Sequence, residues 1–297
     1  MPILLAALLS AAALAPRDAE VIIVTGSADH MEQVMKRAGV KFALISPADL
    51  ARVELRWQQI LMVNCTGEMP PAAAERVRRF VNAGGMLYTT DHAVRYLIER
   101  IFPNTIRFSG TQSQEQIFPM QAEGDRGLVA KINDHGEPRW QLAGGGMLFD
   151  VVGANVEVLM RSRQVAERYH GSGVLGVRFR VGDGQVVHVT GHFFTQPGQR
   201  PEVAAAGRAF EQLSRNVVQE KKDDAPRIEQ LYAASTGVEV TLRTSPGAGA
   251  PAVSSPLGAS VHTEVAEKLR VLKREGSYLQ VRDEQGNEGW IGADAVK

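Results

Sequence analysis

The sequence predicts an α/β protein: a mostly parallel sheet covered on both faces by helices, followed by a small all-β barrel. Two observations carry this. Apolar, β-branched runs alternate with helix-patterned segments about every 20 residues. Beyond residue 236 the pattern changes to short strands with turn residues at every joint.

Taken in order, "AEVIIVTGS" (Ala19 to Ser27) is a continuous apolar run ending at glycine, as a strand buried on both faces should be. A helix from Asp29 to Arg37 follows, with Met31, Val34 and Met35 at helical spacing and Gly39 as its stop. Next come strand "KFALIS", a helix start at Pro47-Ala48-Asp49, strand "QILMVNC", a helix from Pro71 to Asn82 and strand "MLYTT". The order is βαβαβαβ. Residues 103 to 145 are rich in Gln, Gly, Pro and Asp and read as a loop-rich excursion. "VLGVRFRV" and "QVVHVTGHFF" then form a hairpin about Asp183-Gly184, and a helix from Pro201 to Val218 covers it. The polar run "QEKKDDAP" marks a boundary or a solvated helix end.

The domain organisation expected is a leader over 1–18, an α/β domain over 19–218, a linker over 219–235 and a β-barrel domain over 236–297. With 44% hydrophobic residues the chain can bury a sizeable core. Lys plus Arg balances Asp plus Glu at 33 each, so no long-range field recruits nucleic acid or an anionic surface. The single cysteine, Cys65, excludes an internal disulfide and any multi-cysteine metal site.

"ILLAALLSAAALA" (Ile3 to Ala15) has the length of a signal-peptide core and is too short to span a bilayer. No Lys or Arg precedes it, and Pro16 disfavours cleavage directly after Ala15. The expectation is export, periplasmic or extracellular, with a cytoplasmic protein as the alternative. No other stretch reaches membrane-spanning length.

The chemistry concentrates where "MLYTT" hands over to "DHAVRYL". Asp91 and His92 stand at the carboxyl end of a strand, where open α/β sheets place ligands. A carboxylate and imidazoles there, Asp91, His92 and His192, could hold a divalent metal or act as acid and base. His188 and His192 are four apart and share a face if the strand stays regular. Against this, Asp91 can simply cap a helix beginning near Ala93. Adjacent Asp91 and His92 also point apart unless the chain turns. Cys65 reads first as a small buried hydrophobe. "GGG" (Gly144 to Gly146) lacks the context of a nucleotide loop.

Two resemblances sharpen the picture. "ILMVNCTGEMPPAAAERVRRFVNAGGMLYTTDHAVRYL", with "VVHVTGHFF" downstream, resembles the class I glutamine-amidotransferase-like superfamily, including trehalose-utilisation-protein-like domains. The resemblance implies a flavodoxin-like three-layer sandwich whose nucleophile elbow lies over Thr89 to Ala93. It puts Asp91 where the catalytic cysteine stands, His192 where the histidine stands and Phe194 where the glutamate stands. It also makes Gly67 a candidate oxyanion amide beside Cys65. The last 60 or so residues, with "LRTSP" (Leu242 to Pro246) and Gly289-Trp290-Ile291, resemble a bacterial Src-homology-3-like domain. That implies a groove at Tyr278 and Trp290 for a cell-wall or peptide ligand, unless both merely fill the small core.

Together these lead to an exported, non-catalytic binding or scaffold protein, a pseudoenzyme without cofactor or nucleic-acid partner. The alternative is a metal- or carboxylate-dependent hydrolase of a small amide, sugar or wall fragment using Asp91, His92 and His192. The oligomeric state is not legible.

Overall fold

The computed structural model describes residues 15–124, 126–134, 136–192 and 201–297. The leader core and Phe194 fall outside the described residues. Among those described, no helix is long and apolar enough to cross a membrane.

Four strands, β1 (Val21–Val24), β2 (Phe42–Ile45), β3 (Ile60–Val63) and β4 (Met86–Thr90), alternate with α1 (Met31–Arg37) and α2 (Pro71–Ala83). The expected start after Pro47 is a short 3-10 turn, Asp49–Ala51. Beyond β4 a π-helical turn, Val94–Ile98, runs into α3 (Glu99–Ile101). The excursion is more ordered than its composition suggests. It carries β5 (Ile106–Gln112), β6 (Gln116–Pro119), β7 (Gln121–Ala122), β8 (Arg139–Leu142) and β9 (Met147–Val151). Then follow β10 (Val156–Arg161), α4 (Arg163–Tyr169), β11 (Val174–Val181), β12 (Gly184–Val189) and α5 (Pro201–Leu231).

The main sheet has the order β2-β1-β3-β4-β12-β11-β10-β7. Its first five strands are mutually parallel and its last three join antiparallel. The hairpin expected from Leu175, Val177 and Phe179 is therefore β11–β12, and its tip is Gly182-Asp183.

Side chains of a strand alternate between faces, so a run buried throughout needs cover on both. Ile22, Val24, Leu61 and Val63 meet Val77, Phe80 and Val81 of α2 on one face. Val21, Ile23, Ile60 and Met62 meet Met31, Val34 and Met35 of α1 and Phe210, Leu213 and Val217 of α5 on the other. Three layers result.

Helix α5 does not stop at Val218. It runs to Leu231 with Pro226 inside it, so most of the stretch expected as a linker is helical. Ile228 and Tyr232 then pack with Trp57 and Ala83, the Trp57 and Tyr232 rings stacked at 5.9 Å.

The C-terminal strands are antiparallel. β13 (Ala234–Ser235), β16 (Lys268–Glu275), β17 (Tyr278–Arg282) and β18 (Glu288–Gly292) form one sheet, and β14 (Val240–Thr241) pairs with β15 (His262–Thr263). They enclose Leu242, Val261, Leu269, Leu279, Val281 and Ile291. This unit docks on the α/β layer through polar contacts. Arg282 Nη1 donates to Asp183 Oδ2 and to the Asn82 carbonyl, each at 2.7 Å. Arg79 Nη1 donates to Asn287 Oδ1 at 2.7 Å.

Candidate functional site

At the carboxyl ends of β3, β4 and β12 the chain leaves the sheet in three turns, and their side chains meet. The turn after β3 presents Cys65, whose carbonyl accepts from the Ser27 amide at 3.0 Å. The turn after β4 presents Asp91 and His92. Asp91 adopts φ 45, in the left-handed region that Asp tolerates better than most residues. This kink is the turn that neighbouring Asp91 and His92 need in order to face one point. Strand β12 ends at Val189, and Gly191 at φ 90 swings His192 back toward the sheet edge. The regular strand that would align His188 with His192 is therefore broken. His188 is buried elsewhere, its Nδ1 2.9 Å from Thr89 Oγ1, and burial lowers it to about 3 so that it stays neutral.

The capping reading of Asp91 fails. No side chain caps the helical turn at Ala93. Asp91 Oδ1 instead accepts from the amides of Met147 (2.7 Å) and Gly191 (3.1 Å). Its Oδ2 lies 2.6 Å from His92 Nδ1 and 3.1 Å from His192 Nε2. The Gly67 amide is not free for an oxyanion either, since it donates to the Asn64 carbonyl at 3.0 Å.

Cys65 is buried, as the bland reading holds, but not as an inert hydrophobe. Its Sγ lies 3.2 Å from His92 Nδ1 and 3.2 Å from His192 Nε2. Four ligand atoms, from Cys65, Asp91, His92 and His192, thus all lie within 4.8 Å of one another. Tetrahedral zinc, with bonds of about 2.0–2.3 Å to N, O and S, spaces its ligands roughly 3.4 Å apart. A thiolate, a carboxylate and two imidazoles form a donor set that suits zinc or cobalt better than magnesium or calcium.

A nucleophilic triad and a metal site use such groups differently. In a nucleophilic triad the histidine uses one ring nitrogen for the nucleophile and the other for the orienting carboxylate. Here Cys65 and Asp91 face the same nitrogen of each ring: Nδ1 of His92 and Nε2 of His192. All four groups address one point instead of forming a chain. The far nitrogen of His192, Nδ1, donates to the Ala143 carbonyl at 2.5 Å, which fixes the ring with the lone pair of Nε2 inward.

The site's electrostatics follow from the same contacts. Burial alone raises the Asp91 carboxyl, but the hydrogen-bonded imidazoles of His192 and His92 outweigh it and hold Asp91 well below the usual range. His92 is raised to about 9, chiefly by the Asp91 hydrogen bond and then by Cys65. For His192, burial opposes the charge, yet Asp91 and Cys65 raise it to about 11. The Cys65 thiol is raised by burial and lowered more by the two imidazoles, with a net downward shift. These shifts favour a proton shared among the four groups, which a bound cation would displace.

A cavity of about 670 Å³ opens at the ends of β1 and β3, lined by the residues on either side of Cys65 but by none of the four cluster residues. Gly26, Ser27, Asn64, Thr66, Gly67 and Glu68 are among its lining residues.

The loop Ala143 to Gly146, whose glycine run lacks the context of a nucleotide loop, is the brace. It joins β8 to β9, supplies the carbonyl for His192 and leads into the Met147 amide for Asp91. Gly145, at φ 85, brings its Cα so close that an added Cβ would lie 2.3 Å from the Ser113 carbonyl oxygen. Only the closeness of a Gly run to a histidine in space marks it, and no spacing in the sequence carries that.

Tyr278 and Trp290 are not core fillers. They are half-buried and absent from the C-terminal core, and Gln280 pairs with Trp290 across β17–β18. Lys273 Nζ lies 5.7 Å from the Trp290 ring centre.

No protein-family model and no curated protein matches the chain. Solved structures similar to it include a cytoplasmic protein from Salmonella typhimurium, at 9% identity over 67% of this chain and 98% of that one, TM-score 0.46. A protein described as ThuA-like, from Parabacteroides merdae, matches at 13% identity over 68% and 89%, TM-score 0.47. A beta-galactosidase from Bacillus circulans sp. alkalophilus matches at 16% identity over 94% of this chain and 40% of its own length, TM-score 0.45. At that level of likeness nothing about activity transfers to this chain.

Proposed function

We propose that this protein is a metal-dependent hydrolase whose divalent transition-metal centre is built from Cys65, Asp91, His92 and His192. The observation that carries the reading is the approach of Cys65 and Asp91 to a single nitrogen of each histidine. That arrangement suits one shared cation and does not suit proton relay. A divalent ion would supply Lewis-acid polarisation of a bound carbonyl or ether oxygen. The chain's own part is to hold the ligands rigid through the Ala143 carbonyl and the Met147 and Gly191 amides. It also receives a small polar substrate in the cavity beside Asn64 and Thr66. In this reading Asp91 replaces the superfamily nucleophile with a ligand, so the elbow is repurposed and not vacant.

The test is the metal content of untagged protein after dialysis. About one zinc or cobalt ion per chain is expected, and an empty site after incubation with either ion overturns the reading.

A second reading concerns location. Half-buried Tyr278 and Trp290, outside the core of the C-terminal sheets and next to Lys273, favour a peptide or cell-wall ligand for an exported protein. Purified full-length protein sedimenting with peptidoglycan supports it, with the bound fraction falling several-fold in Trp290→Ala. Equal sedimentation of the variant overturns it.

A further inference from the structure

Resting on the metal reading above, we infer that three of the four ligands form a fixed cradle and that His92 is the exchangeable ligand, the position at which water or substrate enters. The fixed three are each held from outside the cluster. Asp91 has both amides on Oδ1, which leaves Oδ2 alone to face inward. His192 is tied through Nδ1 to the Ala143 carbonyl. Cys65 sits in a turn whose carbonyl is bound by Ser27, with Gly26 packed so close that an added Cβ would meet that oxygen.

His92 differs in three respects. Its side chain is 21% exposed, against 7% for His192 and 0% for Asp91. Among the described residues its ring meets Tyr96 outside the cluster, stacked at 6.3 Å, which steers a ring without fixing its azimuth; its carbonyl accepts from the Arg95 and Tyr96 amides, which hold the backbone and not the ring. It also lies two residues before the π-helical turn Val94–Ile98, a local irregularity that often accompanies functional sites. Structural zinc sites are closed by four protein ligands, whereas catalytic ones keep three and leave one position open. Three buried ligands and one partly exposed ligand whose ring nitrogens make no hydrogen bond outside the cluster among the described residues match the second kind, with His92 guarding the open position.

The experiment uses full-length protein loaded with cobalt(II), read by its visible absorption and by cobalt content. Wild type and His92→Ala are both expected to retain about one ion per chain. His92→Ala then behaves like the loss of an outer group, about 10–100-fold in affinity, whereas His192→Ala and Cys65→Ser lose stoichiometric binding. Free imidazole should shift the cobalt bands of His92→Ala by filling the vacated position and leave those of the wild type nearly unchanged. If His92→Ala is as empty as His192→Ala while remaining folded by circular dichroism, the site is closed and this inference falls. Unresponsive cobalt bands on imidazole addition to a loaded His92→Ala protein also overturn it. A wild type that takes up no cobalt or zinc overturns the metal reading itself, so the two failures are distinguishable.

Discussion

The Ala143 carbonyl oxygen lies 2.5 Å from His192 Nδ1, and this one hydrogen bond sets which nitrogen of His192 faces Cys65 and Asp91. A loop that carries no chemistry of its own thereby decides the protonation geometry of the site.

Added metal should stabilise the fold. A ligand present at about 100 times its dissociation constant contributes about 2.7 kcal/mol, which corresponds to a rise of roughly 4 °C in Tm for a chain of this size. Differential scanning with and without zinc, and again after a chelator, measures it. No change in Tm at saturating zinc would contradict the site.

Asp91→Asn keeps the acceptor for the Met147 and Gly191 amides but removes the charge. The metal-free fold should lose stability, because the buried carboxylate no longer pairs with the two imidazoles, while metal affinity falls by more than about 100-fold, beyond what outer groups cost. Titration calorimetry alongside thermal unfolding separates the two effects. A variant that binds metal like the wild type would show that Asp91 is not a ligand.

Gly145→Ala places a Cβ against the Ser113 carbonyl in a backbone conformation with φ 85. The strain is of order 1–3 kcal/mol, and the displaced loop should loosen His192. Both a lower Tm and weaker metal retention are expected. Loss of stability with unchanged retention would confine the loop to a structural role.

Lys221 is a buried residue of α5, donates to the Gly84 carbonyl at 2.7 Å and lies 5.3 Å from the Trp57 ring centre. Burial lowers it to about 7 from its ordinary value of 10.5. Between those values the folded chain holds fewer protons than the unfolded one, so this group makes stability rise with pH from about 7 to 10.5. Tm measured across that window should rise less steeply in Lys221→Met. An unchanged slope would show that Lys221 stays charged when folded.

Arg282 joins the C-terminal unit to the α/β layer through Asp183 and the Asn82 carbonyl, with a side chain only 11% exposed. Arg282→Ala leaves Asp183 with Arg270 as its other cationic neighbour. A loss of about 1.5–3 kcal/mol in denaturant unfolding is expected, because a charge-assisted hydrogen bond is removed while Arg270 still pairs with Asp183. A loss below about 0.5 kcal/mol, the range of ordinary surface changes, would mean that the docking rests on other contacts.

The parallel strands were legible because "VIIV" and "ILMV" are apolar at every position, and only a sheet covered on both faces buries such runs. The excursion was not. Its strands pair over long separations, as Gln116 with Leu142 and Ile106 with Val151, and their half-exposed pattern lacks a strong period. Helix α5 outran its expected end because the polar face of "QEKKDDAP" is satisfied by partners such as Gly84 for Lys221 and Arg180 for Asp224.

By itself the sequence determined that Asp91 and His92 stand at the end of a buried strand and that His192 follows another, since apolar pattern and turn residues are local signals. Only the tertiary structure decided what they form. The left-handed turn at Asp91 and the bend at Gly191 bring His92 and His192 to the same point. The neighbouring β3 adds Cys65, 26 residues away from Asp91 in the chain. Sheet order is a long-range property, and side-chain convergence depends on backbone angles that no residue spacing encodes.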